Sequence, residues 1–210
     1  MTVLCFTDLE TLGLDPLEHD VWEIAIIARD EDGVETEHLW QRRPSPVALA
    51  RAEPKALEMG RFHERMAVPG SAWAADMLDN IGDGHTPVPM SLGALNNRVA
   101  EILKDAVMVG SNPAFDASFL TVMLGMAPWH YRTVDVATLA AGYLHGSLTA
   151  KAGGDRSLFL DSYPTLPYSS YALSERMGIA PPSPEVAHTA LGDARWAKAV
   201  FDAATGGGDR

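Results

Sequence analysis

The chain is poor in cysteine, in positive charge and in long apolar runs, and each scarcity excludes something. With one cysteine among 210 residues no intrachain disulfide forms. Because Cys5 lies inside the apolar stretch Val3-Leu4-Cys5-Phe6, it reads as a buried, inert thiol in a reducing compartment. No run approaches the roughly 20 apolar residues of a spanning helix. The amino terminus enters Val3 to Phe6 without a basic region or a cleavage site, so neither membrane insertion nor secretion is expected and the location expected is cytoplasmic. Lysine and arginine total 16 against 28 acidic residues, a net charge of -12. That balance argues against tight tracking along a duplex, which needs a basic footprint. It leaves room for an enzyme that grips a few terminal nucleotides with bound cations supplying the local positive charge. Apart from His188, the histidines His19, His38, His63, His85, His130 and His145 show no ligand spacing with one another or with Cys5, so no structural zinc site is expected. Internal repeats are absent, and low complexity is confined to Gly206-Gly207-Gly208.

What is present is ordinary globular material: 47% hydrophobic and 21% charged residues in a length that suits one domain, expected over 1–205 with a flexible tail over 206–210. Val3 to Phe6 predicts a central strand buried on both faces. Val21 to Arg29 and Glu35 to Arg42, separated by Asp30-Glu31-Asp32-Gly33, predict a second and third strand joined by a tight turn. A helix follows over 54–66, with Pro54 suited to its first turn. The segment 68–89, rich in glycine, proline and aspartate, reads as a loop or lid. Ser91 is an N-cap for a helix to about Lys104, and 106–109 a further buried strand. The remainder alternates: a helix over 115–126, a fifth strand over 132–136, a helix through Leu144, an irregular loop over 146–167, a helix over 170–177 and a last helix from Val186 or His188 to about Ala204. Three strands in a meander followed by alternating helices and strands predict an α/β fold, a mixed five-stranded sheet flanked by helices.

Four carboxylates and one histidine fall at the ends of these elements. Residues two apart on a strand share a face, so Asp8 and Glu10 can present both carboxylates to one ion. Taken alone, Asp8-Leu9-Glu10 equally describes a solvated strand end. Two negative charges at the exit of an apolar strand, however, repel one another unless a cation sits between them. Asp116, near a predicted helix start, could serve as a cap. His188 and Asp193 are five apart, about 140° around a helix. They meet one site only if His188 lies on the loop leading into the helix and Asp193 about one turn inside it.

The sequence resembles the DEDD superfamily of 3′-to-5′ exonucleases, in the branch with a catalytic histidine that includes polymerase proofreading subunits, ribonuclease T and oligoribonuclease. Asp8 to Leu14 match its first motif, with Leu9 and Leu12 as substitutions. Ser111 to Asp116 match its second, with Ser111 in place of a usual histidine, and His188 to Ala194 match its third throughout. Each motif is weak alone; their order and spacing across the chain are specific. The resemblance implies a ribonuclease-H-like fold and hydrolysis assisted by two Mg²⁺ or Mn²⁺ ions. Asp8, Glu10 and Asp193 would hold one ion, Asp8 would bridge to the second, and Asp116 would help fix it. His188, with an unperturbed pKa of about 6.5, would be the general base. Thr11, Leu12 and Phe115 would meet the terminal nucleotide, Phe115 by stacking or, equally, by packing in the core. The partners implied are single-stranded DNA or RNA 3′ ends. Two rivals stand beside this reading: a non-catalytic module that docks a polymerase or self-associates, and a hydrolase of free nucleotides.

Overall fold

In the computed structural model, which describes residues 3–66, 77–79 and 88–206, the first strand runs further than its apolar core. Strand β1 (Leu4–Thr11) carries the chain past Phe6 through both carboxylates, so that Asp8 and Glu10 are strand residues rather than loop residues. Strands β2 (Val21–Arg29) and β3 (Glu35–Arg42) occupy the expected residues. Their turn is closed by Asp30, whose Oδ1 accepts from the amides of Asp32 (3.0 Å) and Val34 (2.8 Å).

Two short strands, β4 (Met77–Asp79) and β5 (Val88–Pro89), extend one edge, and β6 (Val107–Gly110) and β7 (Val134–Asp135) complete the other. The order is β5-β4-β3-β2-β1-β6-β7. The β1–β2 and β2–β3 pairs are antiparallel, whereas β1–β6 and β6–β7 are parallel. The expected mixed five-stranded sheet is therefore there, with β1 at its centre. The expected loop over 68–89 lies mostly outside the described residues, and its described parts are strand.

Helices cover both faces. On one, α4 (Leu92–Leu103) and α5 (Pro113–Leu124) pack Leu95, Val99, Leu103, Phe119 and Leu120 against Cys5, Leu9, Ile24 and Ile26. On the other, α6 (Val136–Lys151) and α8 (Ala190–Thr205) pack Val136, Ala140, Ala194 and Ala197 against Phe6, Ala25 and Ile27. Strand alternation assigns the faces, so Asp8 and Glu10 share the side of Phe6, toward α8.

Three sequence expectations shift. The helix expected over 54–66 is two short helices, α2 (Pro54–Met59) and α3 (Phe62–Arg65), preceded by α1 (Pro46–Arg51). The break falls at Gly60 and Arg61, the latter in left-handed conformation with φ 49°. The loop expected over 146–167 is largely helical, because α6 continues to Lys151 and a 3₁₀ helix spans Arg156–Ser162. Helix α5 begins two residues early, at Pro113, whose missing N–H costs nothing in a first turn. The seventh helix in chain order, α7 (Ser170–Arg176), has Ser169 as its cap. Among the described residues no helix is long and apolar enough to cross a membrane.

Candidate active site

The site is assembled from β1, the start of α5 and the start of α8. Glu10 is the last residue of β1 in regular register, opposite Glu23 of β2. Thr11 then pairs with Val21, leaving Trp22 as the extra residue of a bulge. Helix α8 opens at Ala190 with Thr189 as its cap, the Thr189 hydroxyl accepting from the Gly192 amide at 3.1 Å. Asp193 is thereby placed one turn inside and His188 on the approach, the one arrangement in which both can face a common point. Only glycine fits at 192, because a β-carbon there would lie 2.6 Å from Thr189 Oγ1.

One carboxylate oxygen from each of Asp8, Glu10 and Asp193 falls within 4.8 Å of the others. The electrostatics mark this as a strained gathering of like charges. Burial, and then Asp116, Asp193, Glu10 and Glu23 in turn, push the Asp8 carboxyl well above the usual carboxylate range. Burial and the neighbouring Glu23 push Glu10 up to about 9, with Arg65 pulling the other way. Asp116 is not a helix cap, since Asn112 holds that position. Asp116 is buried, which pushes it up to about 8 against the opposing pull of hydrogen bonds from its own amide and that of Leu9. Burial also raises Asp193, and its partner His188 lowers it. Asp193 Oδ2 accepts from the His188 amide at 3.0 Å, while Asp193 Oδ1, buried, has no hydrogen-bond partner among the described residues. Hard oxygen donors, mutually repelling and one of them orphaned, fit a divalent cation such as Mg²⁺ or Mn²⁺.

His188 adopts a left-handed backbone with φ 57°, unusual for a residue bearing a side chain. It lines a cavity of about 350 Å³ together with Leu9, Glu10, Thr11, Leu14, Met59 and Phe115. Glu53, which precedes α2, and Lys55 and Ala56 of α2 line it too. Phe115 lines this cavity and also packs on Phe119, with ring centroids 4.8 Å apart. Thr11 lines the cavity too, but its hydroxyl is engaged, donating to the Gly13 carbonyl at 2.7 Å.

Leu12, expected at the substrate, has its side chain wholly buried with Trp22 and Phe62, while Thr11, Gly13 and Leu14 on either side of it line the cavity. Three residues near the site escaped sequence reading. Glu23 had a signal, as the one charged residue in the apolar, buried stretch Val21 to Ile27 of β2. Arg65 had none, because it comes from the short α3, remote in sequence. Burial raises the phenol of Tyr171 of α7, and the charges of Asp193, Asp8 and Glu10 raise it further.

Comparison with solved structures connects this fold to known proteins. Escherichia coli exonuclease I in complex with a dT13 oligonucleotide superimposes with a TM-score of 0.59 at 16% identity, covering 96% of this chain and 41% of that one. The zinc-bound form of the E. coli exonuclease I complex with single-stranded DNA gives 0.62 at 16% identity over 100% and 42%. The fold is ribonuclease-H-like. Product-bound exonuclease I agrees, at 0.58 and 15% identity over 97% of this chain and 43% of that one. The chain thus spans about two-fifths of the exonuclease I chains whose fold it shares. No protein-family model matches the sequence, and no curated protein does.

Proposed function

We propose that the protein is a metal-dependent 3′-to-5′ exonuclease that releases nucleoside 5′-monophosphates from single-stranded ends, with DNA the favoured substrate. The observation that carries this reading is the convergence of Asp8, Glu10 and Asp193 within 4.8 Å beside a cavity lined by His188. Asp8, Glu10, Asp193 and Asp116 would hold the cations. Bound there, two Mg²⁺ or Mn²⁺ ions would neutralise the carboxylates and polarise the scissile phosphate for in-line displacement.

The chain's own residues account for the rest. The cavity of about 350 Å³ suits one nucleotide, with Leu9, Leu14, Met59 and Phe115 as apolar contacts for base and sugar. A ring nitrogen of His188 accepts the proton of the attacking water as its oxygen bonds to phosphorus. The bond from phosphorus to the 3′-oxygen of the preceding nucleotide breaks, and the shortened strand leaves with a 3′-hydroxyl once protonated. The choice of DNA rests on the oligonucleotides held by the exonuclease I neighbours.

The test is cleavage of matched 3′-labelled DNA and RNA oligomers with Mg²⁺, with Mn²⁺ and with chelator. Stepwise loss of the 3′ label, abolished by chelator and by Asp8→Ala, is expected. Degradation that survives Asp8→Ala overturns the assignment, and turnover of mononucleotides without any polymer requirement replaces it with nucleotide hydrolysis.

A further inference from the structure

Behind the acidic cluster lies a buried ion pair that the hydrolytic reading does not use. Glu23 is 2% exposed and pairs with Arg65 of α3. Its Oε2 also accepts from the Ala190 amide at 3.0 Å, capping α8 from the sheet face beneath it, and its Oε1 accepts from Gln41 Nε2 at 2.8 Å. Gln41 Nε2 in turn reaches the Arg65 carbonyl at 3.0 Å. The guanidinium, seated 5.0 Å over the Trp22 ring, donates from Nη1 to the carbonyls of Gly60 (2.7 Å) and His188 (2.8 Å).

Those two carbonyls flank the site. A β-carbon on Gly60 would lie 3.0 Å from Glu10 Oε2, so Gly60 is the wall against which Glu10 rests. At His188 the amide is held by Asp193 and the carbonyl by Arg65, so both backbone polar groups of a left-handed residue are tied. Such a conformation persists only where its surroundings over-determine it. Charge-assisted hydrogen bonds are strong enough to do so.

We propose that Arg65, clamped by Glu23, is the positioning residue of His188, holding the base's backbone at the site and joining it to the Gly60 wall behind Glu10. The inference rests on the exonuclease reading for the role of His188, but the clamp can be tested without turnover. In Arg65→Gln the amide hydrogens of His188 and Ala190 exchange at least about tenfold faster than in the parent protein. Unchanged exchange at both overturns the clamp, whatever the enzyme does. An inactive parent protein overturns the exonuclease reading and leaves the exchange result to decide the clamp.

With an active parent, Arg65→Gln lowers kcat on the order of 100-fold with KM for a dT oligomer held within about threefold. In the His188→Ala background the same substitution costs less than about threefold, because there is no base left to misplace. Equal losses in both backgrounds, or a loss confined to KM, overturn the role. Should Arg65→Gln fail to fold, Arg65→Lys takes its place. It retains a charge but has one nitrogen where the guanidinium uses two, Nη1 between the carbonyls and Nη2 on Glu23, so it cannot occupy both positions at once and a kcat loss of about tenfold that vanishes in His188→Ala is expected. Parental kcat in Arg65→Lys overturns the proposal.

Discussion

Two groups of carboxylates sit side by side across the β1–β2 ladder, and the fold treats them in opposite ways. Glu23 has a guanidinium, an amide and a carboxamide on its two oxygens. Its partner in register, Glu10, faces Asp8 and Asp193, and is held up at about 9 by burial and like charge. An ion pair was available at this depth, and the fold used it at Glu23. The neighbouring acids are a buried gathering of carboxylates with no such partner on each oxygen, and under the proposed function a bound cation would supply their counter-charge.

The comparison breaks most sharply at Asp8. Asp8→Ala removes the carboxylate pressed by all the others, and we expect single-strand cleavage to fall by more than about 1,000-fold, as removal of a group that acts with its neighbours as a unit does. Unfolding in chelator by urea would show the same variant no less stable than the parent, because a buried like charge has gone. A marked loss of metal-free stability would place Asp8 among structural groups instead. Glu23→Ala should do the reverse. It leaves Arg65 buried without its partner and the Ala190 amide uncapped, for a cost of about 3–5 kcal/mol read from denaturant midpoints. If Glu23→Ala is as stable as the parent, the two groups do not differ in the way described.

How much of this was legible beforehand follows from the physics of each residue. Strand periodicity put Asp8 and Glu10 on one face, and β2 and β3 were bounded correctly because turn chemistry at Asp30 to Gly33 is local. The His188 and Asp193 spacing demanded a helix start between them, and Thr189 supplies it. The burial of the Leu12 side chain was not legible, because its partners Trp22 and Phe62 are ten and fifty residues further on. Asp116 was open to a capping reading because Pro113 starts α5 earlier than apolar periodicity suggests. Arg65 was out of reach altogether: its partners Glu23, Gly60 and His188 are brought together only by the tertiary fold. What could be read was local chemistry, and what could not was pairing across distance.

A subtler separation of the two groups comes from pH. With Glu10 raised to about 9 and Asp116 to about 8, the folded protein without metal keeps protons that the unfolded chain releases near pH 4. Between those limits the native state binds more protons, so stability is fully present below about pH 4 and is lost as pH rises toward 8–9. Thermal melts in chelator should therefore fall steadily over that range. Mg²⁺ at about 100 times its Kd should return about 2.7 kcal/mol, on the order of 5–10 °C, at the alkaline end. Metal-free melting that rises with pH from 4 to 9 would contradict this account of the acids.

The smallest effect tests whether α8 needs both of its caps. Thr189 satisfies the Gly192 amide from within the helix, while Glu23 satisfies the Ala190 amide from β2. Thr189→Ala removes only the first, at a cost of about 1 kcal/mol. Since the Glu23 to Arg65 clamp still fixes Ala190 and the His188 carbonyl, cleavage should stay within about threefold of the parent. A larger fall in activity at that modest cost in stability would mean that Thr189, and not the ion pair behind it, sets the angle at which His188 meets the acids.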